Sequence, residues 1–398
     1  MPPSSPVSTI LITDGEQRAA LAAARSLGAA GHHVVVCSTR ARSLAGASRF
    51  VAAEYQVPNA LNEPGAFVEA VRAIVDEQRT DTIIPIAEPS LLALLPARES
   101  FCGVSIPFPS YESFLRICDK GEVARAAEEV GIRVPAQRVI ACPDHTAEVL
   151  EDGRFPLVLK PSRSVVGEGS QRAKVSVIHV DRAEALGPAL QRLPIAAFPV
   201  LAQERIVGPG IGVFVLLRHG KLEAAFAHRR LREKPPSGGV SVLRESVPLD
   251  PELLDRCVQL LRRFDWEGVA MVECKLSEAT GIPYIMEING RFWGSLQLAI
   301  DAGVDFPTLL LAERNGAPPV TQYAHGVRLR WELGDLDHLL ARLRRSPEEL
   351  ALPPGAPGRL RAALDFLAAF GPRNRPEILR LSDPRPFVRE LADWLRGR

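Results

Sequence analysis

The first hundred residues alternate short apolar runs with stretches of helical spacing. Thr9-Ile-Leu-Ile-Thr13 is an apolar run closed by Asp14-Gly15, and residues 18–27 then place apolar side chains at helical intervals up to Gly28. Val34-Val-Val-Cys37 follows Gly31, and a second unit joins a helix around 67–77 to the run 81–86. This alternation predicts parallel β/α units, a Rossmann-like half. It lacks G-x-G-x-x-G, so the single Gly15 is poor support for a dinucleotide site.

Beyond residue 119 the pattern changes. One helix is expected from 119 to 130, and strands are expected at 134–140, 157–160, 176–179, 200–206, 212–217 and 221–227. Residues 251–264 keep Leu253, Leu254, Cys257, Val258 and Leu261 on one helical face. The runs 268–276 and 283–288, separated by Ser-Glu-Ala-Thr-Gly281, predict a hairpin. After about 320 the pattern is mainly Arg-rich helix, as in 336–345 and 359–370, with Pro-rich breaks at 353–357 and 372–376.

Composition narrows the class. A 398-residue chain suggests two or three domains, and 46% hydrophobic with 24% charged residues is ordinary for a globular protein. A net charge of +1 gives no global basic field that would draw the chain to nucleic acid. No apolar run approaches the ~18 residues of a membrane span. Residues 1–8 carry no basic start and no apolar stretch, which argues against a signal peptide. The six cysteines include no C-x-x-C and fit no zinc spacing, so they are expected as reduced core thiols in a cytoplasmic protein. Only six of the 48 basic residues are lysines: Lys120, Lys160, Lys174, Lys221, Lys234 and Lys275. A GC-rich genome explains the shortage, and it makes a lysine on a chemical motif less accidental.

Four segments carry candidate chemistry. In the hairpin, Glu287 and Asn289 share a strand face, and Glu273 on the neighbouring strand can join them. Two carboxylates and an amide oxygen suit Mg2+ or Mn2+ shared with phosphates; the bland alternative is an exposed acidic face. Arg291 continues that face and suits a phosphoryl group or a substrate carboxylate. Lys160 ends the apolar run 155–160, and the loop Gly167-Glu-Gly169-Ser170 follows it, suited to phosphate oxygens. An apolar strand breaks into Gln203-Glu204-Arg205-Ile206 and then into Gly208-Pro-Gly210-Ile-Gly212, a crossing whose backbone suits a purine edge. Arg229, Arg232 and Lys234 precede the loop Ser237-Gly238-Gly239, a candidate anion or acid-substrate site. The Lys160 segment also reads as a surface lysine with a hairpin turn, and the Arg229–Gly239 segment as a solvated basic loop.

In order and spacing these pieces resemble the ATP-grasp superfamily, especially carbamoyl-phosphate-synthase-like carboxylate–amine ligases. The matching residues run from the Thr13-Asp-Gly15 unit and Ser48-Arg49 through Asp119-Lys120, Lys160-Pro161, Gln203-Glu204 and Gly238-Gly239 to Glu273 and Glu287-Ile-Asn289-Gly-Arg291-Phe-Trp-Gly294-Ser295. The resemblance implies an α/β and α+β protein: a Rossmann-like pre-ATP-grasp domain (1–115), a small lobe (116–200), a large lobe with the metal site (201–320) and a mainly helical extension (321–398). It implies ATP and Mg2+ or Mn2+ as cofactors. Lys120 and Lys160 are then expected at the nucleotide phosphates, with Gly167, Gly169 and Ser170 in the covering loop. Gln203, Glu204 and Ile206 are expected at the adenosine, and Glu273, Glu287 and Asn289 at the metal. Lys160, Arg291 and Arg229 are expected to be catalytic. Arg229, Arg232, Lys234, Ser237, Gly238, Gly239 and Arg291 are the expected substrate set.

Two departures stand out. Gly290 occupies a position where the family often has Pro, and Gly210 and Gly212 replace an acidic position after the hinge. The implied activity joins a small-molecule carboxylate to an amine, with a homodimer as the form common among similar proteins and neither nucleic acid nor membrane as partner. Phosphorylation or carboxylation of a small metabolite on the same scaffold, or nucleotide binding without catalysis, are the alternatives. Glu273, Glu287 and Asn289 are all present, which favours catalysis.

Overall fold

A computed structural model of the chain describes residues 7–151, 155–312, 316–352, 355–371 and 373–397. The N-terminal unit is a parallel sheet of β1 (Thr9–Ile12), β2 (His33–Ser38), β3 (Ala53–Gln56) and β4 (Thr82–Ile84), ordered β3-β2-β1-β4. Helices α1 (Arg18–Ala29), α2 (Pro64–Gln78) and α3 (Glu88–Leu94) connect and flank it. Ile10, Leu11, Val34, Val35 and Ile83 are fully buried, as continuous apolar runs in a sheet covered by helices require. Asp14, in the left-handed region at φ 58, accepts from the Ile86 and Ala87 amides and from the Ser90 hydroxyl. Its carboxylate thereby locks the turn into α3 against the β1–α1 turn.

Helices α4 (Tyr111–Cys118) and α5 (Lys120–Glu129) lead out of this unit. Asp119 caps α5 by accepting from the Gly121 and Glu122 amides, which fixes Lys120 at the first helical position. The chain then makes β5 (Gln137–Ile140) and β6 (Leu157–Pro161), a short hairpin of β7 (Val165–Val166) and β8 (Ala173–Lys174), and β9 (Ile178–Val180) and β10 (Val200–Glu204). Strands β5, β10, β6 and β9 form an antiparallel sheet in that order. One face carries its own hydrophobic core, built on Ile140, Leu157, Leu159, Val180, Leu190 and Val200 and separate from the main core. The small sheet runs to Glu204, past the expected change of lobe at residue 200.

The second antiparallel sheet has seven strands. These are β11 (Gly210–Arg218), β12 (Lys221–Lys234), β13 (Val240–Ser246), β14 (Gly268–Leu276), β15 (Pro283–Asn289), β16 (Arg328–Arg330) and β17 (Asn374–Pro376). Their order is β15-β14-β11-β12-β13-β16-β17. Its core is continuous with that of the N-terminal unit.

The C-terminal stretch holds the helices Glu332–Arg344, Arg359–Ala368 and Arg385–Leu395, yet it is more than a helical appendage. Its β16 and β17 complete the large sheet, and its acidic side chains fasten the two halves of the molecule. Asp383 accepts from Arg25 at 2.8 Å, from Ser48 at 2.7 Å and from the Arg49 amide at 3.0 Å. Ser48-Arg49 thus meets the tail rather than the cleft. The buried Glu377 bridges Arg18 and Arg244, each at 2.6 Å. Among the described residues no helix is long and apolar enough to cross a membrane. All six cysteines are free; Cys37, Cys257 and Cys274 are buried, and Cys102 is exposed.

Candidate active site

A cleft of about 610 Å³ opens between the small sheet, the large sheet and the N-terminal unit. Its floor is the hairpin read from the sequence. Glu273 on β14 stands directly opposite Glu287 on β15 in the strand register. Asn289 donates from its amide nitrogen to Glu287 at 3.0 Å, and its oxygen accepts from Arg291 at 3.0 Å. All four side chains line the cleft. The register also slips between Glu273 and Cys274, so that Met286 is an extra residue in β15. This bulge turns Met286 into the cleft beside Glu287, where strict alternation would hide it.

The two carboxylates differ electrostatically. Burial, together with the neighbouring Glu287, pushes the Glu273 carboxyl above its usual range despite the Arg230 guanidinium. Burial also disfavours the Glu287 carboxylate. Lys120, the Asn289 amide, Lys160 and Arg291 more than offset that and hold it below the usual range. Across the cleft Lys160 projects from β6, buried, with its Nζ 3.4 Å from the Met286 sulfur. Burial brings its pKa down to about 8 even with Glu287 and Glu273 nearby. Lys120 lies behind the cleft wall and donates to the Ser164 hydroxyl at 3.0 Å, while Ser164 itself faces the cleft.

The small lobe supplies an apolar slot of Val158, Val175 and Val177, closed from the large lobe by Met286. His179, also in the slot, is kept neutral by burial and by Arg205, with its pKa lowered to about 4. Glu204 and Ile206 line the crossing between the lobes. Gln203 is buried behind them; its amide meets Gln137 at 2.5 Å, and its Oε1 has no hydrogen-bond partner among the described residues.

The covering hairpin presents Val165 and Lys174 to the cleft, while Gly167 and Gly169 sit beyond it in the turn. Gly167 has φ 82, and a Cβ there would lie 2.5 Å from the Gln171 carbonyl, so the turn itself requires glycine. Ser170 lies in the Gly169–Gln171 turn, and its side chain is outside the described set.

The basic stretch on β12 is where the structure corrects the sequence reading most. Arg229 points away from the cleft and pairs with Glu245 at 3.2 Å. The cleft-facing residue is its neighbour Arg230, which holds Glu273 at 2.5 Å, Glu233 at 2.9 Å and the Gly239 carbonyl at 3.0 Å. Alternation along a strand decides between the two, and register with Glu273 was the missing information. Register shifts between Arg230 and Arg232 and again before Glu233 then leave Glu233 on the cleft and take Arg232 and Lys234 off it. Arg232 pairs with Asp335 at 2.9 Å and Lys234 with Asp337, both on the helix Glu332–Arg344, so neither lines the cleft. Ser237, Gly238 and Gly239 do line it.

The two glycine departures have a steric cause. A Cβ at Gly210 would stand 2.8 Å from Arg230 Cδ, and one at Gly212 would stand 3.0 Å from His228 Nε2 and 2.8 Å from Phe214. The space that an acidic side chain would take is filled by Arg230 and His228. Gly290 is packed similarly: a Cβ there would lie 2.2 Å from Trp266 and 2.4 Å from Ile117. Gly290→Pro is therefore expected to destabilise the fold by about 1–3 kcal/mol through overpacking. A denaturant midpoint equal to that of the parent chain would contradict this packing account.

Residues 197–334 match a family model described as ATP-grasp in the biosynthetic pathway with Ter operon. No curated protein matches the chain by sequence. Among solved structures the chain is similar to the L-amino acid ligase from Bacillus licheniformis, with TM-score 0.59 and 18% identity, covering 76% of this chain and 73% of that one. It is also similar to the biotin carboxylase–βγ-ATP complex from Campylobacter jejuni, with TM-score 0.63 and 15% identity over 81% and 74% of the two chains. N5-carboxyaminoimidazole synthetase from Staphylococcus aureus complexed with ADP gives TM-score 0.61 and 15% identity over 80% of each chain. The chain thus has the fold of ATP-grasp enzymes, and its residues 197–334 match an ATP-grasp family model.

Proposed function

We propose that the protein is an ATP- and Mg2+-dependent ligase that activates a small-molecule carboxylate as an acyl phosphate and joins it to an amine, releasing ADP and phosphate. The observation that carries this reading is the opposed Glu273–Glu287 pair, flanked by Asn289 and Arg291 and faced by Lys160 from the other lobe. The donor set fits a hard divalent cation. Among the described residues no three His, Cys, Asp or Glu side chains cluster to enclose a metal. Two carboxylates and an amide oxygen instead leave room for phosphate and water oxygens, as Mg2+ prefers. When bound, the metal supplies charge neutralisation between neighbouring phosphate oxygens.

The chain's own residues divide the remaining work. Val158, Val175 and Met286 make an apolar slot for the purine, and the orphaned Gln203 oxygen offers an acceptor behind it. Lys160 balances phosphate charge, with Lys120 behind it. Arg291 sits at the join of the metal set and the open cleft, where it can hold the reacting carboxylate or the transferring phosphoryl group bidentately. A carboxylate oxygen attacks the γ-phosphorus and ADP leaves. An amine then attacks the acyl carbon, losing a proton as phosphate departs. Positioning and charge balance dominate such phosphoryl transfers, and the walls of the cleft shield the acyl phosphate from water.

The test is a screen of carboxylate and amine pools for Mg2+-dependent ADP release, with mass spectrometry of the products. Formation of AMP, or bicarbonate replacing the acid and amine as the required co-substrate, would refute the ligase reading. On an active pair, Arg230→Ala should lower kcat by about 10²-fold, the scale of losing one preorganised charged contact. Arg229→Ala should stay within threefold, because that side chain faces Glu245 on the outer side of the sheet. Equal losses in the two variants would refute the assigned strand face.

A further inference from the structure

One wall of the cleft comes from the N-terminal unit, where Gln17, Arg18 and Ala19 begin α1. It faces the turn Trp293-Gly294-Ser295 of the large lobe, and the two approach closely. A Cβ on Gly294 would lie 2.9 Å from Arg18 Nη2. Arg18 is held from behind. Its Nη1 donates to Glu377 at 2.6 Å, and its guanidinium lies 4.0 Å over the Trp331 ring. Glu377 is itself fixed by the fully buried Arg244 at 2.6 Å, and Arg244 also donates to the Ser241 carbonyl at 3.1 Å. Only Nη1 is used by this clamp; Nη2, on the Gly294 side, has no hydrogen-bond partner among the described residues.

The same end of the cleft holds other buried polar groups without partners. The indole Nε1 of Trp293 and both ring nitrogens of His228 are buried and unpartnered among the described residues, and both side chains line the cleft. His228 is 1% exposed and Trp293 2%. Burial, with Arg230 and Arg244 nearby, keeps the His228 ring neutral, so it offers one N–H and one acceptor. The N-terminus of α1 has no side-chain cap, so its first amides add further donors. Glu88 lies on the same wall but in the field of Arg291 and Lys120, toward the phosphate end. Buried donors without partners are costly, and a ligand oxygen removes that cost.

We infer that this end of the cleft is a receptor for a substrate carboxylate that is not consumed in the reaction, with Arg18 as its contact residue and Glu377 as the positioning residue behind it. The inference rests on the ligase reading above and adds to it a substrate class: one partner keeps a carboxylate after the bond forms. That group is either the second carboxylate of a diacid or the carboxylate of an amino acid nucleophile. The acid of the clamp, Glu377, comes from the C-terminal stretch, beyond the residues matched by the family model.

The experiment uses the full chain with MgATP and pairs of substrates that differ only at that group. Diacids are compared with their monoamides, and amino acids with their carboxamides. Productive pairs should retain a free carboxylate, and the arm that loses activity on amidation identifies which partner supplies it. Arg18→Gln should raise KM for that partner about 10- to 150-fold, the range for losing a charged hydrogen bond, with KM for ATP within threefold. Gly294→Ala meets only the tip of Arg18, so it should leave the melting temperature unchanged while raising the same KM. Glu377→Gln should raise that KM with kcat less affected, which a purely structural role would not produce. Efficient turnover of pairs without a spare carboxylate, or an unchanged KM in Arg18→Gln, would overturn the proposal. If no pair releases ADP, the ligase reading fails and the receptor is still judged directly. Saturation-transfer NMR with glutarate and MgADP should then give a signal in the parent chain that Arg18→Gln abolishes, and equal signals in both would overturn it.

Discussion

Glu287→Ala is expected to lower ADP release about 10³-fold, the scale on which preorganised charge contributes to a transition state. Glu287 faces Glu273 across the strand pair, accepts from Asn289 and lies in the field of Lys120, Lys160 and Arg291. Its removal takes away one carboxylate of the proposed metal set and leaves three cations without their common counter-charge. Both consequences act on phosphate positioning, so kcat should fall and the Mg2+ concentration for half-maximal rate should rise together. The carboxylate sits on the cleft floor, and alanine there opens space into the existing cleft rather than a sealed void. The melting temperature should therefore change little. A variant that keeps its turnover within tenfold would eliminate this site as the phosphoryl-transfer centre.

The second large effect concerns Lys160, and its sign reverses with ligand. Burial lowers its pKa to about 8 from an ordinary value near 10.5. Holding the lysine charged in the folded protein is thus unfavourable. The cost is fully present below pH 8 and is relieved as pH rises from about 8 to 10.5. Without nucleotide at pH 7, Lys160→Met should be more stable than the parent by up to ~3 kcal/mol. That advantage should shrink steadily through the same pH window. With MgATP in 100-fold excess over Kd the parent should gain about 2.7 kcal/mol by linkage, and the variant much less. Lys160→Arg keeps the charge but replaces a compact ammonium by a planar fork, and should recover little turnover. A Lys160→Met protein that is less stable than the parent at pH 7 and equally stabilised by MgATP would contradict the proposed role.

The meeting of Glu273, Glu287 and Asn289 was legible because strand alternation is a short-range rule. Glu287 and Asn289 two apart, with Glu273 on the partner strand, need only a hairpin to meet. Lys160 was legible because a lysine closing an apolar run needs a buried counter-charge, and Glu287 supplies it. Errors began where register, not spacing, decides. Arg229 and Arg230 are equivalent in sequence, and only the alignment of β12 with β11, and through it with β14, selects the second. Bulges at Met286 and between Arg230 and Arg232 break alternation at the places where side chains are redirected. Arg18 and Glu377, 359 positions apart, left no local signal at all. Their contact depends on the tail's closing the large sheet and returning to the N-terminal unit.

The small lobe has a core of its own, sharing no residue with the one that unites the rest of the molecule. Its sheet joins the remainder through the segment ahead of β5 and the crossing after Glu204, where Gly208 passes so close to the Leu276 carbonyl that a Cβ there would stand only 1.8 Å away. Cores without common side chains can open at different free energies, the link between them here being Val165 and the Lys120 contacts to Ser162 and Ser164. A nucleotide bound as proposed, against Val158 and Met286 and between Lys160 and Glu287, would cross-link them. MgATP is then expected to draw the melting of the two parts into a single transition.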